Sequence, residues 1–250
     1  MPILPPGPRT EAQVRIDLAA AYRLAALNGW DDTVYTHLSA SIPGAPGQYL
    51  INRFGLTFDE VRASNLVQVD INGRVVDGSA APVNPSGFAI HGAVHAARPE
   101  LECVIHLHSP WGVALSMMPD GLQPTSQWAM RLHGRLGRHP YEGLALGADE
   151  RTRLVTALGA LDGVILEHHG PLVVGRTVAE AFVLMHILER AAQAQLRAMA
   201  AYGGRLAGVS EALALRTYSQ WIGDGSERDG DLEWPALLRR LDRLAPGYRD

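Results

Sequence analysis

The stretch "CVIHLHSPWG", residues 103–112, sets two histidines one residue apart inside an apolar, β-branched run. Burying an imidazole without a partner is costly, so the pair needs an explanation. Side chains alternate across a strand, which puts Val104, His106 and His108 on one face and Cys103, Ile105 and Leu107 on the other. Two neutral imidazoles converging on one face suit zinc or iron and need one or two further donors from elsewhere. The competing reading is a pair of histidines satisfied within the core.

A third donor stands in "ILEHHGP". If the segment is a strand followed by a Gly-Pro turn, Glu167 and His169 share a face, His168 takes the other, and His169 sits at the strand end. Glu167 reads as a solvated charge. His91 and His95 lie one helical turn apart and share a helix face, from which either could supply a ligand or a supporting hydrogen bond. His95 reads as a packing residue. His37, His133, His139 and His186 have no spacing partner and read as structural.

The elements that must position these residues follow from pattern and punctuation. A helix is expected from Thr10 to Asn28, with Thr10 and Gln13 as a capping box. Strands follow in "THLSASI" and "QYLIN", and "LVQVDINGRVVDG" reads as a hairpin about Asn72-Gly73. Ser86 is placed to cap a helix that Pro99 stops, and that helix feeds the His-x-His strand. A short helix is expected from Pro110 to Met117, and residues 120–146 are rich in Gly and Pro. "ADERTRLVTALGAL" reads as helical and "GVILEHHGPLVVG" as strand, turn and strand. Thr177 and Glu180 form a capping box for a long helix to Tyr202. Hairpin-linked strands between helices predict an α/β fold with a mostly antiparallel sheet and helices on its faces.

The 250 residues carry a net charge of −4 without long like-charge blocks, which gives no footprint for nucleic acid or an anionic membrane. Small-molecule chemistry is expected. All 22 basic residues are arginine. Arginine forms no Schiff base, so carbonyl activation through a lysine imine is excluded. No apolar run has the length of a membrane span, "MPILPPGPRT" lacks the pattern of a secretory signal, and the single Cys103 fits a reducing cytoplasm.

Taken together, "LINRFGLTFDEVRASNLVQVD", "NPSGFAIHGAVHAARPELECVIHLHSP" and "HHGPLVVGRTVAEAF" resemble the class II aldolase/adducin family, in the family's order from about Leu18 to Gly204. The resemblance implies a three-layer α/β/α sandwich in a single domain spanning 1–250, with a core of about 10–204 and a C-terminal extension from 205 to 250. It also implies a homotetramer with a divalent metal near the subunit interface. The implied metal ligands are His106, His108 and His169, with zinc first and iron, manganese or cobalt as alternatives.

The departures are informative. The family's Ser-Ser-Glu triplet, whose glutamate is the acid/base of the sugar-phosphate aldolases, aligns with Pro85, Ser86 and Gly87. The phosphate-gripping loop aligns near Asn52, Arg53, Phe54 and Gly55, and an Asn-x-Ser turn aligns with His37, Leu38 and Ser39. Ser39, Arg53 and Ser86 remain as substrate contacts, and Gly87 would leave room beside the metal. Tyr141, His91 and His133 are the proton-transfer candidates.

Three functions follow from these expectations. One is a metal-dependent lyase, by retro-aldol cleavage or decarboxylation, acting on an unphosphorylated hydroxy- or keto-acid. The others are a non-haem Fe(II) oxygenase of an aromatic substrate, to which the lack of a carboxylate ligand is unfavourable, and a non-catalytic adducin-like scaffold, which has no chemical need of three histidines.

Overall fold

The computed structural model describes residues 9–143, 148–223 and 228–250, apart from the side chains of Pro85, Ser86, Phe88 and Ala148. Most of the segment read for a secretory signal lies outside the described residues.

Seven strands form one sheet: β1 (His37–Ser41), β2 (Gln48–Ile51), β3 (Val67–Asp70), β4 (Cys103–His106), β5 (Leu136–His139), β6 (Gly163–Leu166) and β7 (Gly170–Gly175). The order is β3-β2-β1-β4-β7-β6-β5, and every pair is antiparallel except β5 with β6. Helices α1 (Glu11–Leu27), α6 (Val178–Ala201) and α8 (Glu233–Leu244) cover one face. The other face carries α2 (Pro85–Ala97) and α5 (Ala148–Leu158). The remaining helices are α3 (Pro110–Ser116), α4 (Gln127–Arg131) and α7 (Glu211–Ile222). This is the expected α/β/α sandwich.

Strand alternation sorts the two cores. From β1 and β4, Leu38, Ala40, Cys103 and Ile105 enter the core under α1 and α6. Val104 enters the second core, with Ile90 and Val94 of α2 and Leu154 and Leu158 of α5. Burial of such aliphatic side chains contributes about 1.5–3 kcal/mol each. His37, Ser39 and Ser41 therefore face α2, on the side of His106.

Both helix starts use the expected N-cap threonine, but only α1 forms the expected capping box. Thr10 Oγ1 accepts from Gln13 N while Gln13 Oε1 accepts from Thr10 N at 2.9 Å. For α6, Thr177 Oγ1 accepts from Glu180 N at 3.0 Å, but the Glu180 carboxylate reaches Arg176 N at 2.6 Å rather than Thr177.

Three expectations are corrected. The turn between β6 and β7 is Glu167-His168-His169, with His168 at φ 57°, and Gly170 and Pro171 already belong to β7. The alternation argument for Glu167 and His169 therefore fails, because neither lies in a strand. The hairpin after β3 closes only through a bridge between Val69 and Val75, since Asp70 takes Asn72 N and Arg74 N into the turn. Helix α2 begins at Pro85, so Ser86 lies within its first turn instead of capping it.

Candidate metal centre

His106 ends β4, paired in register with His37 of β1 and Leu172 of β7. Leu107 N then donates to Pro171 O at 3.3 Å, which holds His108 just past the strand end. The Glu167–His169 turn brings His169 across from β7. Gly170 permits this approach: it has φ +150°, and a Cβ there would stand 2.6 Å from the Leu107 carbonyl oxygen. Ring centroids are 4.6 Å apart for His106 and His169, 4.9 Å for His108 and His169, and 5.2 Å for His106 and His108. One ring nitrogen from each lies within 4.8 Å of the others.

The hydrogen bonds behind these rings decide which nitrogens point inward. His106 Nδ1–H donates to Pro171 O at 3.1 Å, leaving Nε2 bare. His108 Nδ1–H donates to Asp32 Oδ2 at 2.8 Å, and its buried Nε2 has no partner. His106 Nε2 and His169 Nε2 face one another at 3.2 Å, both turned to one point. A carbonyl or carboxylate behind an imidazole fixes the tautomer and strengthens the outward nitrogen as a ligand.

Electrostatics works in the same direction. Burial, then the neighbouring His169, holds His106 well below the usual imidazole range. Burial, then His108, lowers His169 to about 4. Both rings are neutral at neutral pH, the form that coordinates metal. The donor set of three converging imidazole nitrogens fits a divalent ion of the imidazole-binding kind.

Asp32 belongs to a strained loop. Thr33 (φ 54°) and Thr36 (φ 63°) occupy the left-handed region, where a β-branched residue is an outlier. The loop holds Asp32 behind His108 at one end and enters β1 at His37 at the other. Nothing in the spacing of "WDDTVYTH" pointed to Asp32.

Behind the cluster lies a buried polar chain. His37 stands beside His106, with ring centroids 5.7 Å apart. Its Nδ1 is 2.9 Å from His91 Nε2; Ser39 Oγ is 2.6 Å from His91 Nδ1 and 2.8 Å from His95 Nε2; Ser41 Oγ is 3.0 Å from His95 Nδ1. Burial lowers His37 and His95 to about 3, with His108 and His169 adding to the effect on His37.

Several site expectations change accordingly. His91 is wholly buried with both nitrogens paired, so it touches no ligand and can act only through His37. Ser39 is equally buried and its hydroxyl is used up between His91 and His95, which removes it as a substrate contact. The room expected at Gly87 is taken by His37, whose Cδ2 would lie 2.7 Å and Nε2 3.0 Å from a Cβ there. His37, read as structural, is next to the centre. His95 does pack as read, stacked on Tyr49 at 4.7 Å. Arg53 is exposed at the end of β2, and the side chain of Ser86 lies outside the described residues. Tyr141 is 53% exposed beyond β5 and makes no hydrogen bond or ring contact among the described residues. His133 pairs with Glu211 and Glu167 with Arg138, away from the three rings.

Residues 16–196 match the family model for the class II aldolase and adducin N-terminal domain. The chain belongs to the class II aldolase and adducin family. A provisionally named class 2 aldolase protein of Caulobacter vibrioides is 46% identical over 240 residues, covering 96% of this chain and 93% of that family member. A crystal structure of an aldolase II superfamily protein from Pseudomonas syringae superposes with a TM-score of 0.92 at 43% identity, covering 100% of this chain and 98% of that one. L-fuculose 1-phosphate aldolase from Glaciozyma antarctica PI12 gives a TM-score of 0.86 at 31% identity, covering 99% of this chain and 97% of its own. The adducin branch of the family is near as well: rat alpha-adducin is 38% identical over 252 residues, and the match takes in 96% of this chain and 34% of the adducin.

Proposed function

We propose that His106, His108 and His169 hold a divalent metal, zinc first and iron, manganese or cobalt as alternatives, in a lyase acting on a small unphosphorylated hydroxy- or keto-acid. The observation that carries the reading is the convergence of three ring nitrogens, two of them on rings backed by Pro171 O and Asp32. A bound divalent ion polarises a carbonyl and stabilises negative charge on its oxygen, which retro-aldol cleavage and decarboxylation both need. The chain supplies the neutral rings, the carbonyl and carboxylate that orient them, and Arg53 as an exposed anion contact. A chain without lysine leaves this chemistry no imine route.

The loss of Ser39 as a contact supports an unphosphorylated substrate, because a phosphate grip rests on several charge-assisted hydrogen bonds of roughly 1.5–3 kcal/mol each. Elemental analysis of the purified protein and a panel assay of the zinc-loaded form test both parts. About one equivalent of metal per chain is expected, with poor turnover of fuculose, rhamnulose and ribulose phosphates and turnover of hydroxy- or keto-acids. Efficient cleavage of fuculose 1-phosphate, abolished in His108→Ala, would restore the sugar-phosphate reading that the name of the Glaciozyma neighbour favours. Iron in place of zinc would favour the oxygenase. A metal-free protein would favour the scaffold, the reading to which the adducin relatives point.

We also propose that the whole chain acts as one cytoplasmic domain and assembles as a homotetramer. Part of the Ala-rich face of α6 is covered within the chain, where Ala191, Ala192 and Gln195 are buried. The support for assembly comes instead from Leu213, Leu215, Trp221 and Ile222 of α7, which are exposed in the single chain. Sedimentation as a monomer at micromolar concentration would overturn the tetramer.

A further inference from the structure

The buried chain behind the centre has a direction. Its last link runs from Ser41 Oγ to the Leu101 carbonyl oxygen at 3.5 Å, and a carbonyl only accepts. Ser41 therefore donates to Leu101 and accepts from His95 Nδ1–H. His95 Nε2 is then bare and accepts the Ser39 hydroxyl proton, so Ser39 Oγ accepts from His91 Nδ1–H. His91 Nε2 in turn accepts from His37 Nδ1–H. Reversing the chain would set a Ser41 lone pair against the Leu101 carbonyl. The long contact to one backbone carbonyl thus favours one direction for the protons down the line, and a neutral imidazole has only one to place.

The outcome is a His37 whose Nε2 carries a lone pair. That nitrogen lies beside Gly87, makes no hydrogen bond among the described residues, and belongs to the ring 5.7 Å from His106.

We propose that His37 sets the specificity of the site for a ligand bearing a hydroxyl beside its metal-binding oxygen: Nε2 accepts from an O–H and repels an ether or carbonyl oxygen in the same place. This rests on the three histidines being the ligand-binding metal site. His91, Ser39, His95 and Ser41 are positioning residues, acting only by holding the tautomer.

The tautomers can be read without metal, from ¹⁵N NMR of histidine-labelled protein. His37, His91 and His95 should all be Nδ1–H forms. Ser39→Ala cuts the chain and Ser41→Ala, at a partly exposed position, removes its polarising end. Both should bring up the Nε2–H form of His37. An Nε2–H His37 in the wild type, or an unchanged tautomer in both variants, would overturn the proposal. With zinc bound, glycolate should bind about tenfold more tightly than methoxyacetate, the equivalent of one hydrogen bond. Ser41→Ala should bring the two ligands close to parity. Equal affinities in the wild type would also overturn it. If the wild type takes up no zinc, the metal reading fails by itself and the metal-free tautomers still decide whether His37 is poised as described.

Discussion

Two groups of three histidines sit within a ring's reach of each other and differ in almost every respect except residue type. In His106, His108 and His169, two rings have one nitrogen tied to a carbonyl or carboxylate and one left bare, and the third turns its Nε2 to the same point. In His37, His91 and His95 the nitrogens are linked into a chain, directly from His37 to His91 and through the Ser39 hydroxyl from His91 to His95, with one end free. The first arrangement collects lone pairs and the second passes one orientation along. What separates them is the nature of the partners: fixed acceptors isolate each ring, whereas hydroxyls, which both donate and accept, couple the rings.

The sharpest break between the groups should come from truncating a bare-nitrogen ring. His169→Ala should lower metal content from about one equivalent to background by elemental analysis while the fold is retained. His95→Ala should retain the metal and lose stability, since it takes one hydrogen-bond partner from buried Ser39 and one from partly exposed Ser41, at about 0.5–1.5 kcal/mol for each bond lost. Urea unfolding of the metal-free protein measures this loss. Next in size is the carboxylate behind His108. Asp32→Asn should weaken metal affinity by about 10–100-fold, as loss of such a supporting partner typically does, and a competition titration with a chelator would show it.

Both groups should add to acid sensitivity in the metal-free protein, the coupled one through His37 and His95. His37 and His95 are lowered by burial to about 3, against an ordinary 6.5 in the unfolded chain. The unfolded state then binds more protons below pH 6.5, so stability is complete above that value and falls continuously towards about pH 3. Metal-free protein should show this fall in urea midpoints measured from pH 7 to pH 4, and a flat profile would contradict the neutral burial of the chain. The smallest effect is expected at the contact between the groups. Gly87→Ala forces a methyl against His37 and should cost about 1–3 kcal/mol by overpacking, with metal content unchanged.

How much of this was legible varied by residue. The His-x-His pair was readable because a strand has a two-residue period, and His106 and His108 do converge although the ladder stops at His106. His169 was named by an alternation argument that fails, since its turn begins at Glu167, and independently by the resemblance carried by "HHGPLVVGRTVAEAF". The helix pair His91, His95 was visible as a pattern, whereas His37 was read as structural and its alignment with Ser39 and Ser41 on one strand face was missed. That they meet depends on β1 lying next to β4 and on α2 crossing over both, a matter of topology that no local period encodes. The open space expected at Gly87 was wrong because a residue 50 positions earlier in the chain fills it. Asp32 had no local signature.

Thr33 and Thr36, held at positive φ between Asp32 and β1, place an easy gain in heat resistance next to the chemistry. Glycine at either position would relieve about 1–2 kcal/mol of left-handed backbone strain, and its greater freedom in the unfolded chain would return part of that. The same replacement slackens the segment that aims a carboxylate at His108 and leads into His37. A library selected only for survival on heating would collect these glycines early and drift towards stable proteins with weaker metal retention, so thermal selection and ligand binding pull on this loop in opposite directions.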